Sequence, residues 1–398
     1  MTLKLAHLSD THLGYEAYSA VTPKGNNQRG VDIVKAFIST VEAIDEWDPD
    51  IVIHSGDVAE RPRVDFRYLL QAQQSLSRLA DGGRRQVVVI AGNHDAPRSR
   101  KDVCFLELFQ GIPGVHVVTV GYQRVDLGDV VVHAIPHDSL NETNFDEVRP
   151  LPGRVNILTS HGVAESSELF LRAIGREFAI PGEVMLREWD YVALGHWHKR
   201  GPVFLGGEKD GQSRIWYAGS TENISFRDLR DDSGMRRGWL AVEIDGPGEM
   251  PRVEERDVEI RRMFRLPDLD AQGMNPQQIR DALIDHLRAR DDIRGAVVGQ
   301  RIINLSRDVW ALVDQATVRR VAREALHYEM WPKTTRSVDT ETRALTGGEG
   351  EIEMLLGEIV NDHVDESLRK PVTEKAAQLL AEAAGEIGGE TVETEVAA

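Results

Sequence analysis

Five short segments of this chain carry residues able to hold cations and move protons. They are Asp10-Thr11-His12, Gly56-Asp57, Gly92-Asn93-His94-Asp95, His161-Gly162 and Gly195-His196-Trp197-His198. Asp10, His12, Asp57, Asn93, His161, His196 and His198 offer two carboxylates, one amide and four imidazoles as donors. That exceeds what one tetrahedral ion takes, and it suits two ions sharing a carboxylate. In Asp10-x-His12 and His196-x-His198 an extended backbone would send both side chains to the same side. Mixed imidazole, carboxylate and amide ligation suits manganese or iron, with magnesium and zinc as alternatives. Two such ions can clamp a phosphate and activate a water for in-line attack. His94, beside the candidate ligand Asn93, is placed to touch the phosphate rather than a metal.

These residues need a scaffold that brings them together. Short Val- and Ile-rich runs bounded by Gly, Asp or Asn read as buried strands at Leu3–Leu8, Ile51–His54, Val87–Ala91, Val115–Val120, Val130–Ile135, Val155–Thr159, Tyr191–Leu194, Ile215–Ala218 and Trp239–Ile244. Helical patterns at Val31–Glu46 and Val64–Leu79 separate the first three, giving a βαβαβ beginning. Each chemical segment follows one of these strands, and open α/β sheets gather ligands at the carboxyl ends of their strands. Singly the motifs are weak, because Gly-Asp is a common turn and Asp-x-His can cap a helix. Their joint order and placement carry the reading. The remaining histidines, His7, His54, His116, His133, His137, His286, His327 and His363, read as core or surface residues.

The expected fold is α/β, a layered sandwich over residues 1–247 with a hairpin near Gly206–Gly211. Asp245-Gly246-Pro247-Gly248 marks a boundary. A small α+β capping domain follows over 248–340, with helices at Pro276–Arg288 and Thr317–Glu329 and a strand pair at Ala296–Leu305 and Val309–Val313. An acidic helical tail occupies 341–398. There Ile352, Leu355, Leu356, Ile359, Val360 and Val364 recur at helical spacing, Pro371 breaks the pattern, and Val372–Ile387 suits a second helix. The end, Gly388–Ala398, is expected to be disordered.

Charge adds a constraint. The 398 residues carry a net charge of −18, and −10 of it falls within residues 346–398. Coating nucleic acid by bulk electrostatics is therefore excluded, while the body stays only mildly acidic. The single cysteine, Cys104, excludes a disulfide framework. No apolar run is long enough to span a bilayer and no signal-peptide pattern opens the chain, so a cytoplasmic, non-membrane protein is expected.

In this order the five motifs resemble the calcineurin-like metallophosphoesterases, over about residues 3–245. The resemblance implies one metal held by Asp10, His12, Asp57 and His198, and a second held by Asp57, Asn93, His161 and His196, with Asp57 bridging. It implies that His94 contacts the scissile phosphate and helps protonate the leaving oxygen, with Asp95 orienting it. Within that superfamily, the segment Leu5 to Gly14 is similar to the opening of the SbcD-type DNA repair nucleases. Tyr217-Ala218-Gly219-Ser220-Thr221-Glu222 and Gly238-Trp239-Leu240-Ala241-Val242-Glu243-Ile244 resemble later segments of that group. Val58-Ala59-Glu60 departs from it, since an aromatic and then Asp or His often follow Gly-Asp there.

This narrower resemblance implies a DNA phosphodiesterase with two Mn2+ ions, acting as a 3′→5′ exonuclease and single-strand endonuclease in double-strand break repair. It implies a homodimer and an SMC-like ATPase partner of the SbcC type, bound through the C-terminal helices. No G-x-x-x-x-G-K-[ST] motif occurs, so any ATPase is another chain. The alternative is a metallophosphoesterase of a small substrate, a cyclic nucleotide or phosphomonoester, for which a cap and tail have no evident use.

Overall fold

The protein is described here from a computed structural model covering residues 2–97, 99, 102–165, 178–205, 212–226, 229 and 236–335. The first strands, β1 (Leu3–Leu8), β2 (Ile51–His54), β3 (Gln86–Ile90) and β4 (Val115–Val118), pair in parallel. Next come β5 (Gln123–Asp126), β6 (Val130–Ile135), β7 (Val155–His161), β8 (Val163–Ala164), β9 (Ala179–Ile180), β10 (Tyr191–Gly195), β11 (Gly201–Pro202) and β12 (Ile215–Tyr217). The last are β13 (Gly238–Ile244), β14 (Arg252–Asp257), β15 (Met263–Arg265), β16 (Leu269–Asp270), β17 (Val297–Ser306) and β18 (His327–Thr335). One six-stranded sheet runs β14-β13-β1-β2-β3-β4 and a second runs β11-β12-β10-β7-β6-β5.

Alternation of side chains gives each central strand two buried faces. Leu5, Ile51, Ile53 and Val88 meet Val132, Ile157, Tyr191 and Ala193 of the other sheet. On the outer face of the first sheet, Ala6, Leu8, Val52, Val87 and Val89 pack with Ile33, Phe37 and Leu76. Those three come from α1 (Gln28–Trp47) and α2 (Phe66–Ala80). Asn27 caps α1 by accepting from the Gly30 amide, and Asp65 caps α2 by accepting from the Arg67 amide. The outer face of the second sheet packs Leu158, Val192 and Leu194 with Trp189 and with Val184 and Met185 of α3 (Gly182–Met185). The expected sandwich is therefore present, helices on sheet on sheet.

The strand β14 lies past the expected boundary at residue 247, yet it pairs with β13 as the edge of the first sheet. Among the described residues, α4 (Pro276–Arg288) starts with a capping box between Asn275 and Gln278 and has Pro276 in its first turn.

Two expectations fail here. Val309–Val313 does not form a strand, because Arg307–Ala311 is helical and is labelled α5. The helix expected over Thr317–Glu329 ends early. Its helical part is α6 (Gln315–Val321), a single turn of 3₁₀ helix follows to Glu324, and β18 begins at His327. Pairing with β17 overrides local helical preference there. The Tyr328 hydroxyl, donating to Gln300 Oε1 at 2.7 Å, fixes that strand.

Residues Met1–Leu305 with Leu312–Lys333 group into one compact unit, and Ser306–Ala311 with Thr334–Ala398 into another. The turn of the expected hairpin, the tail helices over 351–387 and the end at 388–398 lie outside the described residues. The strands flanking that turn, β11 and β12, do pair antiparallel. Among the described residues no helix is long and apolar enough to cross a membrane.

Candidate metal centre

All the candidate ligands sit at carboxyl ends of strands. Asp10 and His12 follow β1, Asp57 follows β2, Asn93 to Asp95 follow β3, His161 ends β7, and His196 and His198 follow β10. The two sheets thus contribute loops to one rim. Two loops are zipped by backbone bonds: Asp10 N–H to the Gly56 carbonyl, His12 N–H to Asp57, and Leu13 N–H to Val58.

This close approach is costly for the backbone. Asp10, His12, Asp57 and His196 adopt positive φ, at 52°, 51°, 56° and 93°. Residues other than glycine seldom do so, and such strain collects at functional sites. Neighbouring glycines make room. A Cβ on Gly92 would lie 2.2 Å from Asp57 Oδ1, and one on Gly195 would lie 2.0 Å from the Ser55 carbonyl oxygen.

The seven donors converge. His12 Nε2 and His198 Nε2 are 3.1 Å apart. Asp10, His12 and His198 can each point a ligand atom at a common spot, and so can Asp10, Asp57 and His161. Asn93 Oδ1 is 3.0 Å from His161 Nε2 and 3.0 Å from His196 Nδ1. Asp57 Oδ2 stands between the groups, 3.3 Å from His161 Nε2 and 3.6 Å from His12 Nε2. The other Asp57 oxygen accepts the His94 amide at 2.8 Å. Asp10 accepts the His196 amide on both oxygens at 3.1 Å.

Tautomers follow from the partners. A carbonyl can only accept, so His161 Nδ1 donates to the Ser55 oxygen at 2.7 Å. Its Nε2 then faces Asp57 and Asn93. His12 Nδ1 donates in the same way to Glu60 Oε2 at 2.9 Å, leaving Nε2 for His198 and Asp57. Carbonyl or carboxylate partners behind imidazoles are the usual outer support of metal-binding histidines. The donor set therefore fits divalent cations.

The electrostatics agree. Burial alone would raise Asp57, but the imidazoles of His161, His12 and His94 hold it well below the usual carboxylate range. Burial disfavours charge on His161 as well, yet Asp57 and Asp10 push it up to about 9. Positive charge is drawn to the spot between them. Asp95 is pushed up to about 7 by burial and then by the Asp57 charge, against its backbone hydrogen bonds.

Asp95 and His94 have separate partners. The Asp95 carboxylate is fully buried and accepts three amides, Val58 at 3.1 Å, Ala59 at 2.9 Å and Gly92 at 3.0 Å. The group beside the His94 ring is Glu60, whose backbone carbonyl accepts from His94 Nδ1 at 2.9 Å.

Several supporting residues escaped the sequence reading. Glu60 figured there only as a departure from a pattern. His137, read as an ordinary histidine, packs its ring against Phe178 and His196, and its Nδ1 donates to the His161 carbonyl at 3.0 Å. Glu222, noted for resemblance alone, is buried where it meets Arg29 at 3.4 Å and accepts the Arg261 amide at 2.9 Å. Between the sheets, Ser55 joins His7 and Thr159 at 3.0 Å each.

Comparison with known proteins completes the picture. Residues 3–200 match the calcineurin-like phosphoesterase family. The DNA double-strand break repair protein Mre11 of Methanococcus maripaludis is 27% identical over 271 residues, 66% of this chain and 68% of that protein. Its namesake from Methanocaldococcus jannaschii is 26% identical, over 69% of this chain and 71% of the relative. That of Saccharolobus solfataricus is 24% identical over 87% of each. Residues 3–200 of this chain are thus a calcineurin-like phosphoesterase domain, within a chain homologous to archaeal double-strand break repair proteins.

Proposed function

We propose that this protein is a manganese-dependent DNA phosphodiesterase of double-strand break repair, with 3′→5′ exonuclease and single-strand endonuclease activity. The observation that carries the reading is Asp57 Oδ2 standing between His12 and His161, with Asp10, Asn93, His196 and His198 closing around them. Relatives of similar length named for double-strand break repair support the choice of substrate. Asp10, His12, Asp57 and His198 would hold one cation, and Asp57, Asn93, His161 and His196 a second. When bound, such ions neutralise phosphate charge and supply the attacking nucleophile from water.

The chain's own groups do the rest. Asp57 offsets the charge of both sites. His94 has Nδ1 engaged by the Glu60 carbonyl, which leaves Nε2 to touch the phosphate and give a proton to the leaving oxygen. Asp95 holds the loop on which both rest.

Two partners belong to this reading. A second copy would dock through α2, where Phe66 and Leu70 lie one turn apart and are 77% and 44% exposed. An SMC-like ATPase would take the apolar stripe from Ile352 to Val364, because the negative charge of this tail disfavours a phosphate backbone. The setting would be the cytoplasm.

The test compares manganese-dependent cleavage of a plasmid-length duplex with that of a nitrophenyl phosphodiester. Preferential cleavage of the duplex supports the reading, and turnover of the small ester alone overturns it. Truncation after Leu345 should preserve intrinsic cleavage and abolish co-purification with the ATPase.

A further inference from the structure

Glu60 makes two contacts with imidazoles of the site. Its side chain accepts from His12 Nδ1 at 2.9 Å, and its backbone carbonyl accepts from His94 Nδ1 at 2.9 Å. The two imidazoles meet edge to face, with centroids 4.8 Å apart. We infer that Glu60 is a positioning residue that fixes the tautomer and ring angle of the metal ligand His12 through its carboxylate, and the ring of His94 through its carbonyl. The inference rests on the two-cation reading of the site.

The local structure makes this an ordered arrangement. The Glu60 amide donates to the Leu13 carbonyl at 3.0 Å, one residue beyond His12. The two preceding amides, Val58 and Ala59, are held by Asp95. Glu60 is thus pinned on both sides before its side chain is placed. The carboxylate is about one-fifth exposed and lies 3.8 Å from His94 Nδ1. That distance is too long for a hydrogen bond, so the carboxylate serves His12 and the carbonyl serves His94.

A carboxylate behind an imidazole selects the Nδ1–H tautomer and makes Nε2 more basic toward a cation. Loss of such a partner typically costs about 10–100-fold in metal affinity. The carbonyl contact survives substitution of the side chain, so a Glu60 variant separates the two effects. Metal uptake should suffer directly, while His94 should keep its ring partner.

The test is a Mn2+ titration of metal-stripped full-length protein, with elemental analysis after dialysis. Wild type, Glu60→Gln, Glu60→Ala and His12→Ala are compared, and their thermal unfolding checks the fold. One site of Glu60→Ala should weaken by about 10–100-fold. The near-isosteric Glu60→Gln, which keeps an acceptor, should fall between wild type and Glu60→Ala. Ring-nitrogen NMR of the stripped protein should show a single Nδ1–H tautomer for His12 in wild type and a mixture in Glu60→Ala. Wild-type binding in both variants would overturn the inference. So would a loss in Glu60→Gln as large as that in His12→Ala, since Glu60 would then itself be a ligand. Wild-type protein that takes up no Mn2+ would overturn the two-cation reading instead.

Discussion

The Nε2 atoms of His12 and His198 stand 3.1 Å apart although they come from different sheets, one from the loop after β1 and the other from the loop after β10. A cation bound by both would tie the sheets together. Ligand that binds only the folded state stabilises it by about 2.7 kcal/mol at one hundred times its dissociation constant. Mn2+ should therefore raise the unfolding midpoint and a chelator should lower it. In His198→Ala the rise should shrink, as calorimetry at matched metal concentrations would show.

Asp57 faces both groups of nitrogen donors. Asp57→Ala should weaken both sites and remove most cleavage, whereas Asp10→Ala should retain more of the metal. Elemental analysis of dialysed protein is the measurement. Two tightly held ions with near-normal cleavage in Asp57→Ala would refute its bridging place.

His94 tests the division between holding a cation and moving a proton. His94→Ala should bind Mn2+ as wild type does and lose cleavage by about 10²–10⁴-fold. A metal loss as large as that of His161→Ala would make His94 a ligand.

Asp95 should matter first for stability. A buried donor left without its acceptor costs about 1–3 kcal/mol. Asp95→Ala leaves three buried amides without their acceptor. Urea unfolding of the metal-free protein should show a loss of several kcal/mol, with Asp95→Asn less affected. An unchanged midpoint in both variants would contradict the clamp.

His133 predicts a pH effect away from the metal centre. Burial lowers it to about 4, against the hydrogen bond its Nε2 donates to Asn156 Oδ1 at 3.3 Å, and its Nδ1 also meets the Tyr122 hydroxyl at 2.7 Å. Below the ordinary histidine value of about 6.5, the unfolded chain takes up a proton that the folded chain refuses. Stability from this residue is thus complete above pH 6.5 and is lost as pH falls toward 4. At about 1.4 kcal/mol per pKa unit, the loss is at most roughly 3 kcal/mol. His133→Gln should show a shallower fall in unfolding free energy between pH 6.5 and 4.5 than wild type.

The parts of this molecule legible in its sequence are those set by local pattern. The strands Leu3–Leu8 and Ile51–His54 are buried apolar runs that end at polar residues, and their limits in the fold are the limits read from the sequence. The seven donors could be gathered because each follows such a strand. Glu60 could not be read, because its place depends on loops 10–13 and 56–60 meeting through backbone bonds far apart in sequence. His137 is similar, since only the fold brings Phe178 and His196 to its ring. The segment from Thr317 to Glu329 has a local helical pattern that cannot reveal β17 waiting as a partner for His327 onward.

The left-handed backbone at Asp10, His12, Asp57 and His196 has one further consequence. Glycine would occupy those four positions without the penalty of about 1–2 kcal/mol that a side chain incurs there. Chemistry and sturdiness are therefore set against each other at the same residues. At His12 and His196 a glycine would end the chemistry while shedding that strain, whereas at Asp10 and Asp57 the relief is offset by loss of the acceptors for the His196 and His94 amides. Selection for thermal robustness alone would drift toward dead enzymes, so any programme to toughen this protein must screen for turnover at every round.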